Sequence, residues 1–243
     1  MNAIAENLLQ VNSRIQRACE IAKRTKKDVS LVAVSKTHPA EMVRAAYEAG
    51  QMAFGENYVQ EGVDKIEALQ DIRQRITWHF IGPIQSNKTR FIAESFDWVQ
   101  SIDRLKIAQR LSEQRPRDLT NLNICLQVNI SGEASKSGVS PREALLTCLD
   151  LVELPNLSLR GLMAIPEPGA SLQSMKEFYH LFIEIQQHLK KHQFKTQFDT
   201  LSIGMSDDLE QSIQAGSTMI RIGTAIFGAR NIEEDQEDLN TEQ

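Results

Sequence analysis

Cysteine is scarce in this chain. Cys19, Cys125 and Cys148 are the only three. They are odd in number and lack metal or redox spacing, so no disulfide framework is expected, and free thiols fit a reducing cytoplasm. Histidine is also sparse. His38, His79, His180, His188 and His192 show no HExxH spacing, which argues against a metal site. No stretch approaches the roughly 20 apolar residues of a membrane span, and no basic-then-apolar leader opens the sequence. Positive charge is not in excess: 27 Lys and Arg stand against 32 Asp and Glu, a net charge of -5. A nucleic-acid footprint needs a clustered basic face. The one basic run, Lys23, Arg24, Lys26 and Lys27, reads instead as favourable charge at a helix carboxyl terminus.

Apolar segments do alternate in type. Ile4, Leu8, Val11, Ile15, Ala18 and Ala22 recur at helical spacing and predict an amphipathic helix over 3–24, ahead of the first strand. Eight short apolar segments then read as strands: 31–35, 52–54, 76–81, 97–100, 122–130, 159–165, 199–203 and 218–222. Helical patterns lie between nearly all of them, including one from Gly82-Pro83 to Ala93 and one from Ser206 to Ala215. Such alternation implies a parallel sheet with helices outside, and eight units are the number that closes. The expected fold is α/β, a single (β/α)8 TIM barrel over 1–230 with an extra N-terminal helix. An open doubly wound sheet is the alternative. The acidic tail, 231–243, is expected to be disordered.

In a barrel, chemistry sits at the carboxyl ends of the strands. The first strand ends in Lys36, and His38-Pro39 then breaks it. Desolvation disfavours an ammonium, and a neutral amine can attack an aldehyde to form a Schiff base. The alternative is a lysine that snorkels out of a strand end. Asn57, His79, Ser101, Asp103, Asn129 and Met163 stand near the ends of strands two to six. Ser202-Ile-Gly204-Met205-Ser206 and Arg221-Ile-Gly223-Thr224 each join a late strand to a helix start. Glycine permits close approach, helix N–H groups favour an anion, and barrels often hold a phosphate after their last two strands. Against this, Ser206 or Asp207 could simply cap the helix, and Asp207 and Asp208 are acidic.

Arg221 interrupts a strand that should be buried. It could face a ring nitrogen lone pair or pair with a carboxylate from a neighbouring strand. An amine, a phosphate cradle and an arginine for a heteroaromatic nitrogen together describe pyridoxal 5'-phosphate (PLP). Lys136 is the rival amine; its polar loop suits an accessory role near the mouth, or none. Lys88 reads as a surface residue. His79, between Trp78 and Phe80, reads as a core histidine or a cofactor contact.

Several stretches carry a resemblance. They are Val32-Ala-Val-Ser-Lys36-Thr, Phe54-Gly-Glu-Asn-Tyr-Val-Gln-Glu61, Trp78-His-Phe-Ile-Gly-Pro-Ile-Gln-Ser-Asn-Lys88, Val128-Asn-Ile, Ser135-Lys-Ser-Gly138, Gly161-Leu-Met-Ala-Ile165, Leu201-Ser-Ile-Gly-Met-Ser206 and Arg221-Ile-Gly-Thr-Ala-Ile-Phe-Gly228. From the N-terminal helix to Arg230 the chain resembles the pyridoxal phosphate homeostasis protein family, also called proline synthase co-transcribed homologues. The resemblance implies a barrel like the N-terminal domain of alanine racemase (fold type III) and a Schiff base at Lys36. It implies phosphate contacts from Ser202, Gly204, Ser206, Gly223 and Thr224, and Arg221 at the pyridine nitrogen. Asn57, His79, Met163 and Met205 complete the candidate cofactor contacts. It also implies a role in intracellular vitamin B6 homeostasis with no established catalytic activity.

Arginine at the ring nitrogen should keep it unprotonated, which makes the ring a poor electron sink. A racemase also needs a second acid/base opposite the lysine. In the related racemases a tyrosine from a second, β-rich domain supplies it across a dimer interface. Here the chain ends just after the eighth unit, and of Tyr47, Tyr58 and Tyr179 only Tyr58 lies near a strand end. The expectation is a cytoplasmic, monomeric protein that binds and releases PLP, with apo PLP-enzymes as candidate recipients and no turnover. A weak PLP-dependent amino-acid racemase, or a class I aldolase whose lysine attacks its substrate directly, are the alternatives.

Overall fold

Eight strands carry the molecule: Ser30–Val34 (β1), Ala53–Glu56 (β2), Thr77–Phe80 (β3), Trp98–Ile102 (β4), Leu122–Gln127 (β5), Leu157–Met163 (β6), Thr200–Ser202 (β7) and Met219–Ile222 (β8). In this computed structural model each pairs in parallel with the next, and β8 closes on β1. The structure describes residues 3–133 and 136–229, so the acidic tail lies outside the described residues. The closed barrel is the predicted (β/α)8 fold, and the open-sheet alternative is set aside.

The side-chain period of two divides each strand between two environments. Val32, Trp98, Cys125, Met163 and Met219 pack together in the barrel interior. Their neighbours Ala33, Val99, Ile124, Leu162 and Ile220 join the larger core beneath the helices. The outer helices are Ala40–Glu48 (α2), Val59–Ala68 (α3), Thr89–Ser95 (α4), Leu105–Gln114 (α5), Ala144–Val152 (α6), Leu172–Lys191 (α7), Leu209–Ala215 (α8) and Thr224–Phe227 (α9). The extra helix, Ala3–Ile21 (α1), buries Ile4, Leu8, Val11 and Ile15 against the barrel and packs on α2, α8 and α9. Each such side chain contributes about 1.5–3 kcal/mol on burial.

At the carboxyl end of the barrel, α4 and α8 start later than the periodicity predicts. α4 begins at Thr89 rather than at Gly82-Pro83. The carbonyls of Gly82, Ile84 and Ser86 accept from Ser101 Oγ (2.6 Å), Arg104 Nη2 (3.1 Å) and Arg110 Nε (3.0 Å), and so hold 82–88 as a loop. α8 begins at Leu209 rather than Ser206, because the Met205 amide donates to Asp208 Oδ1 at 2.6 Å and closes a turn over 206–208. β5 ends at Gln127, short of Asn129, whose amide donates to Val139 O at 2.9 Å where the following loop folds back.

Among the described residues no helix is long and apolar enough to cross a membrane, and no group of His, Cys, Asp and Glu is placed to hold a metal. All three cysteines are buried and free.

Candidate functional site

Lys36 leaves the end of β1 between two unusual neighbours. Ser35 is buried, and its hydroxyl donates to Glu56 Oε1 at 2.6 Å. Thr37 takes a left-handed conformation, φ 62°. Its amide donates to Glu61 Oε1 at 2.6 Å, while Lys65 Nζ donates to Ser35 O at 2.7 Å. Lys65 also pairs with Glu56 at 2.9 Å and Glu61 at 2.5 Å. α3 reaches this close because Gly62 faces Phe96 and Glu56 Cβ, where a side chain would collide. Burial pushes the Glu56 carboxyl up to about 7, against the opposing pull of Lys65.

A second polar assembly, running through the barrel interior from β8 to β3, is almost uncharged. Arg221 Nη1 donates to Ser202 Oγ at 2.5 Å, and Nη2 donates to Ala164 O at 2.9 Å. Both acceptors are neutral, so this is not the salt bridge that was the alternative reading of a buried arginine. Ser202 Oγ donates in turn to Gln100 Oε1 at 2.6 Å, and Gln100 Nε2 lies 2.9 Å from His79 Nδ1. A guanidinium can only donate. The direction of every bond in the chain is therefore set from Arg221: the serine proton goes to Gln100, and the amide proton goes to His79 Nδ1, leaving the histidine's own proton on Nε2. Burial pulls His79 down to about 3, so it is neutral. Its ring stacks on Trp98 at 5.2 Å. Burial also lowers Arg221, but only to about 10, so it remains a cation at neutral pH.

The third component is the pair of turns after β7 and β8. Gly204 has φ +115°, and a Cβ there would meet Ser212 Cβ at 2.7 Å, so glycine is required. Gly223 and Thr224 open α9, where the first amides lack helical acceptors. Asp208 already holds the Met205 amide, which removes one donor from the cradle. α1 braces these turns from behind. Arg14 Nη2 donates to Ser206 O and to Glu210 Oε2, each at 2.9 Å, and Asn7 Nδ2 donates to Ile226 O at 2.9 Å.

A cavity of about 270 Å³ opens at the same end of the barrel, lined by Asn57, Gly82, Gln127, Asn129, Lys136 and Ile165 among others. Asn57 Oδ1 is buried there without a hydrogen-bond partner. Lys136 lies at this mouth and near Glu133 and Glu167, at 3.7 and 3.5 Å. Asn129 is occupied by its own loop, accepting from Ser131 and Gly132. Met163 is buried in the barrel interior, and Met205 is exposed on the rim. Lys88 is the half-buried residue preceding α4.

The register brings the candidates together. Val32 pairs with Arg221 and Ala33 with Ile222, so Lys36 and the Gly223-Thr224 turn leave neighbouring strands at one end. Sequence reasoning did not single out Glu56, Glu61, Lys65, Gln100 or Arg14. Glu56 ends a strand that is otherwise apolar, and Gln100 lies in the middle of one; those two departures were the available signals.

The fold and this site define a class, the barrels of the alanine racemase N-terminal domain, whose family model matches residues 2–231. The chain is 50% identical over 233 residues to the pyridoxal phosphate homeostasis protein of Haemophilus influenzae, covering 96% of this chain and 98% of the relative. It is 54% identical over 231 residues to the protein of that name in Pseudomonas aeruginosa, covering 95% and 97%. The chain belongs to the pyridoxal phosphate homeostasis protein family. PipY of Synechococcus elongatus, solved with PLP bound, is 34% identical with a TM-score of 0.77 over 93% of this chain and 100% of PipY. Alanine racemase of Corynebacterium glutamicum shares the fold, with 17% identity and a TM-score of 0.63 over 95% of this chain and 61% of the racemase.

Proposed function

We propose that the protein holds PLP as a Schiff base on Lys36 at the carboxyl end of its barrel, and serves intracellular vitamin B6 homeostasis without turning over a substrate. The observation that carries this reading is the β1–β8 register: Lys36 and the Gly223-Thr224 turn leave neighbouring strands at one end, with Arg221 lower on the same strand as that turn. The residues present fit the group. PLP supplies an aldehyde for the amine, a pyridine nitrogen for the guanidinium and a phosphate for the two glycine-containing turns. Lys36 would hold the group through its amine, condensing with the aldehyde with loss of one water. Gly204, Ser206, Gly223 and Thr224 offer backbone and hydroxyl donors to the phosphate. Arg221 would donate to the ring nitrogen and keep its own proton, since burial lowers its pKa only to about 10. Ser202 is committed to Arg221 and Gln100, so it orients the guanidinium. Asn57 Oδ1 is an acceptor still available in the mouth, and His79 and Met163 line the interior below.

The same residues favour holding over turnover. A ring nitrogen facing a guanidinium is not protonated and withdraws electrons weakly. A racemase needs an acid/base opposite the lysine, and of the three tyrosines only Tyr58 lies near the mouth. Tyr47 accepts from Arg75, Tyr179 packs under Gly216, and Tyr58 is exposed at the start of α3. PLP-bound PipY and the name shared by the closely similar relatives support the cofactor. Cofactor released from the open mouth would pass to apo-enzymes that require it.

The test is spectroscopic. Purified protein mixed with PLP is expected to develop the visible absorbance of a protonated imine, lost on borohydride reduction, and to leave the α-proton of added alanine unexchanged. A colourless protein under PLP excess would overturn the cofactor reading, and rapid exchange would overturn the absence of turnover.

A further inference from the structure

The two peptide groups that flank the Lys36 Cα are each gripped by a charged side chain from α3. Lys65 Nζ holds the carbonyl of Ser35 at 2.7 Å, and Glu61 Oε1 holds the amide of Thr37 at 2.6 Å. Lys65 joins the two grips, bonding Glu61 at 2.5 Å and Glu56 at 2.9 Å, with side-chain exposures of 6% for Lys65 and 0% for Glu56. Burying such a cluster is costly, and apolar residues of similar volume are often as stabilising in its place. Stability alone is therefore a weak reason for it.

The local backbone supplies a better one. Thr37 has φ 62°, a region that β-branched residues avoid. Holding it there is costly and requires surroundings that over-determine it. The turn also stacks a Ser35 N–H to Gly55 O bond on one side and a His38 N–H to Ser35 O bond on the other. Relaxing Thr37 to the extended region would rotate the 36–37 peptide and swing the Lys36 side chain.

We propose that Lys65 and Glu61 are positioning residues for Lys36: by fixing the peptide groups on either side of it, they hold Thr37 left-handed and aim the amine into the barrel mouth. This rests on the reading of Lys36 as the PLP-bearing residue. Neither residue touches the cofactor, and Lys65 is not an alternative amine, because three acceptors already surround its Nζ.

The experiment follows adduct formation at Lys36 in the full chain, by borohydride trapping after timed exposure to PLP, in Lys65→Met, Glu61→Ala and each of these combined with Thr37→Gly. Both single variants are expected to slow adduct formation on the order of tenfold or more, the size of effect expected from misplacing a reacting group. Glycine adopts the left-handed conformation without strain, so Thr37→Gly is expected to restore most of the rate even where the melting temperature stays low. Glu61 is partly exposed, so Glu61→Ala keeps the test open if Lys65→Met fails to fold. Normal rates in the folded single variants would overturn the proposal. Slow rates that Thr37→Gly does not restore would also overturn it, by reducing the cluster to a structural support. Absence of any adduct in the unaltered protein would instead overturn the cofactor reading itself.

Discussion

Two buried polar assemblies share the carboxyl end of this barrel, and they are built from different materials. Beneath Lys36, on the β1–β2–α3 side, Glu56, Glu61 and Lys65 form a charged cluster whose bonds reach the main chain. Through the barrel interior, from β8 by way of β7 and β4 to β3, Arg221, Ser202, Gln100 and His79 form a chain with one cation and no carboxylate, joined side chain to side chain. The difference follows from what each must do. On the proposed reading, charge is used where a strained backbone has to be held, and neutral acceptors where a guanidinium has to be presented, since a carboxylate alongside would neutralise it and take its donors.

Cutting the charged cluster should have the larger effect. At pH 8, above the Glu56 midpoint, Lys65→Met leaves Glu56 buried beside no cation and is expected to cost about 3–5 kcal/mol in urea unfolding. Gln100→Leu leaves the Ser202 proton and His79 Nδ1 unsatisfied and is expected to cost roughly 1–3 kcal/mol. If Gln100→Leu proves the more damaging, the comparison fails.

The two assemblies should also titrate in opposite senses. Glu56 sits at about 7 folded against 4.5 unfolded, so the folded state binds the extra proton and this group's contribution falls as pH rises from 4.5 to 7. His79 sits at about 3 against 6.5, so the unfolded state binds the extra proton and its contribution falls as pH drops below 6.5 toward 3. Between pH 5 and 6.5, Glu56→Gln should therefore gain more stability with rising pH than the unaltered protein, and His79→Asn should gain less. Equal slopes in denaturation midpoints across this range would remove the distinction. As the smallest effect, Arg44→Ala, which cuts an exposed pair with Asp71, should leave the midpoint where it is.

Much of this was readable before the structure, and the reasons are physical. The barrel was legible because short apolar segments alternate with 3.6-period segments. Lys36 and Arg221 stood out because each is a cation on a strand that should be buried. Glu61 and Lys65 did not, because their i,i+4 spacing is that of any solvated helix pair. Gln100 was silent because its partner Ser202 is 102 residues away, joined only when β4 and β7 face each other across the barrel. The start of α8 was misplaced because Asp208 reaches back to the Met205 amide, a choice that side-chain geometry makes and periodicity does not register.

The most direct test of the whole account is peptide mapping of the borohydride-reduced protein after exposure to PLP. The account predicts the pyridoxyl mass on the peptide carrying Lys36 and its loss in Lys36→Ala under stoichiometric PLP. An adduct of the unaltered protein that maps to Lys136, or to no lysine at the barrel mouth, would contradict it.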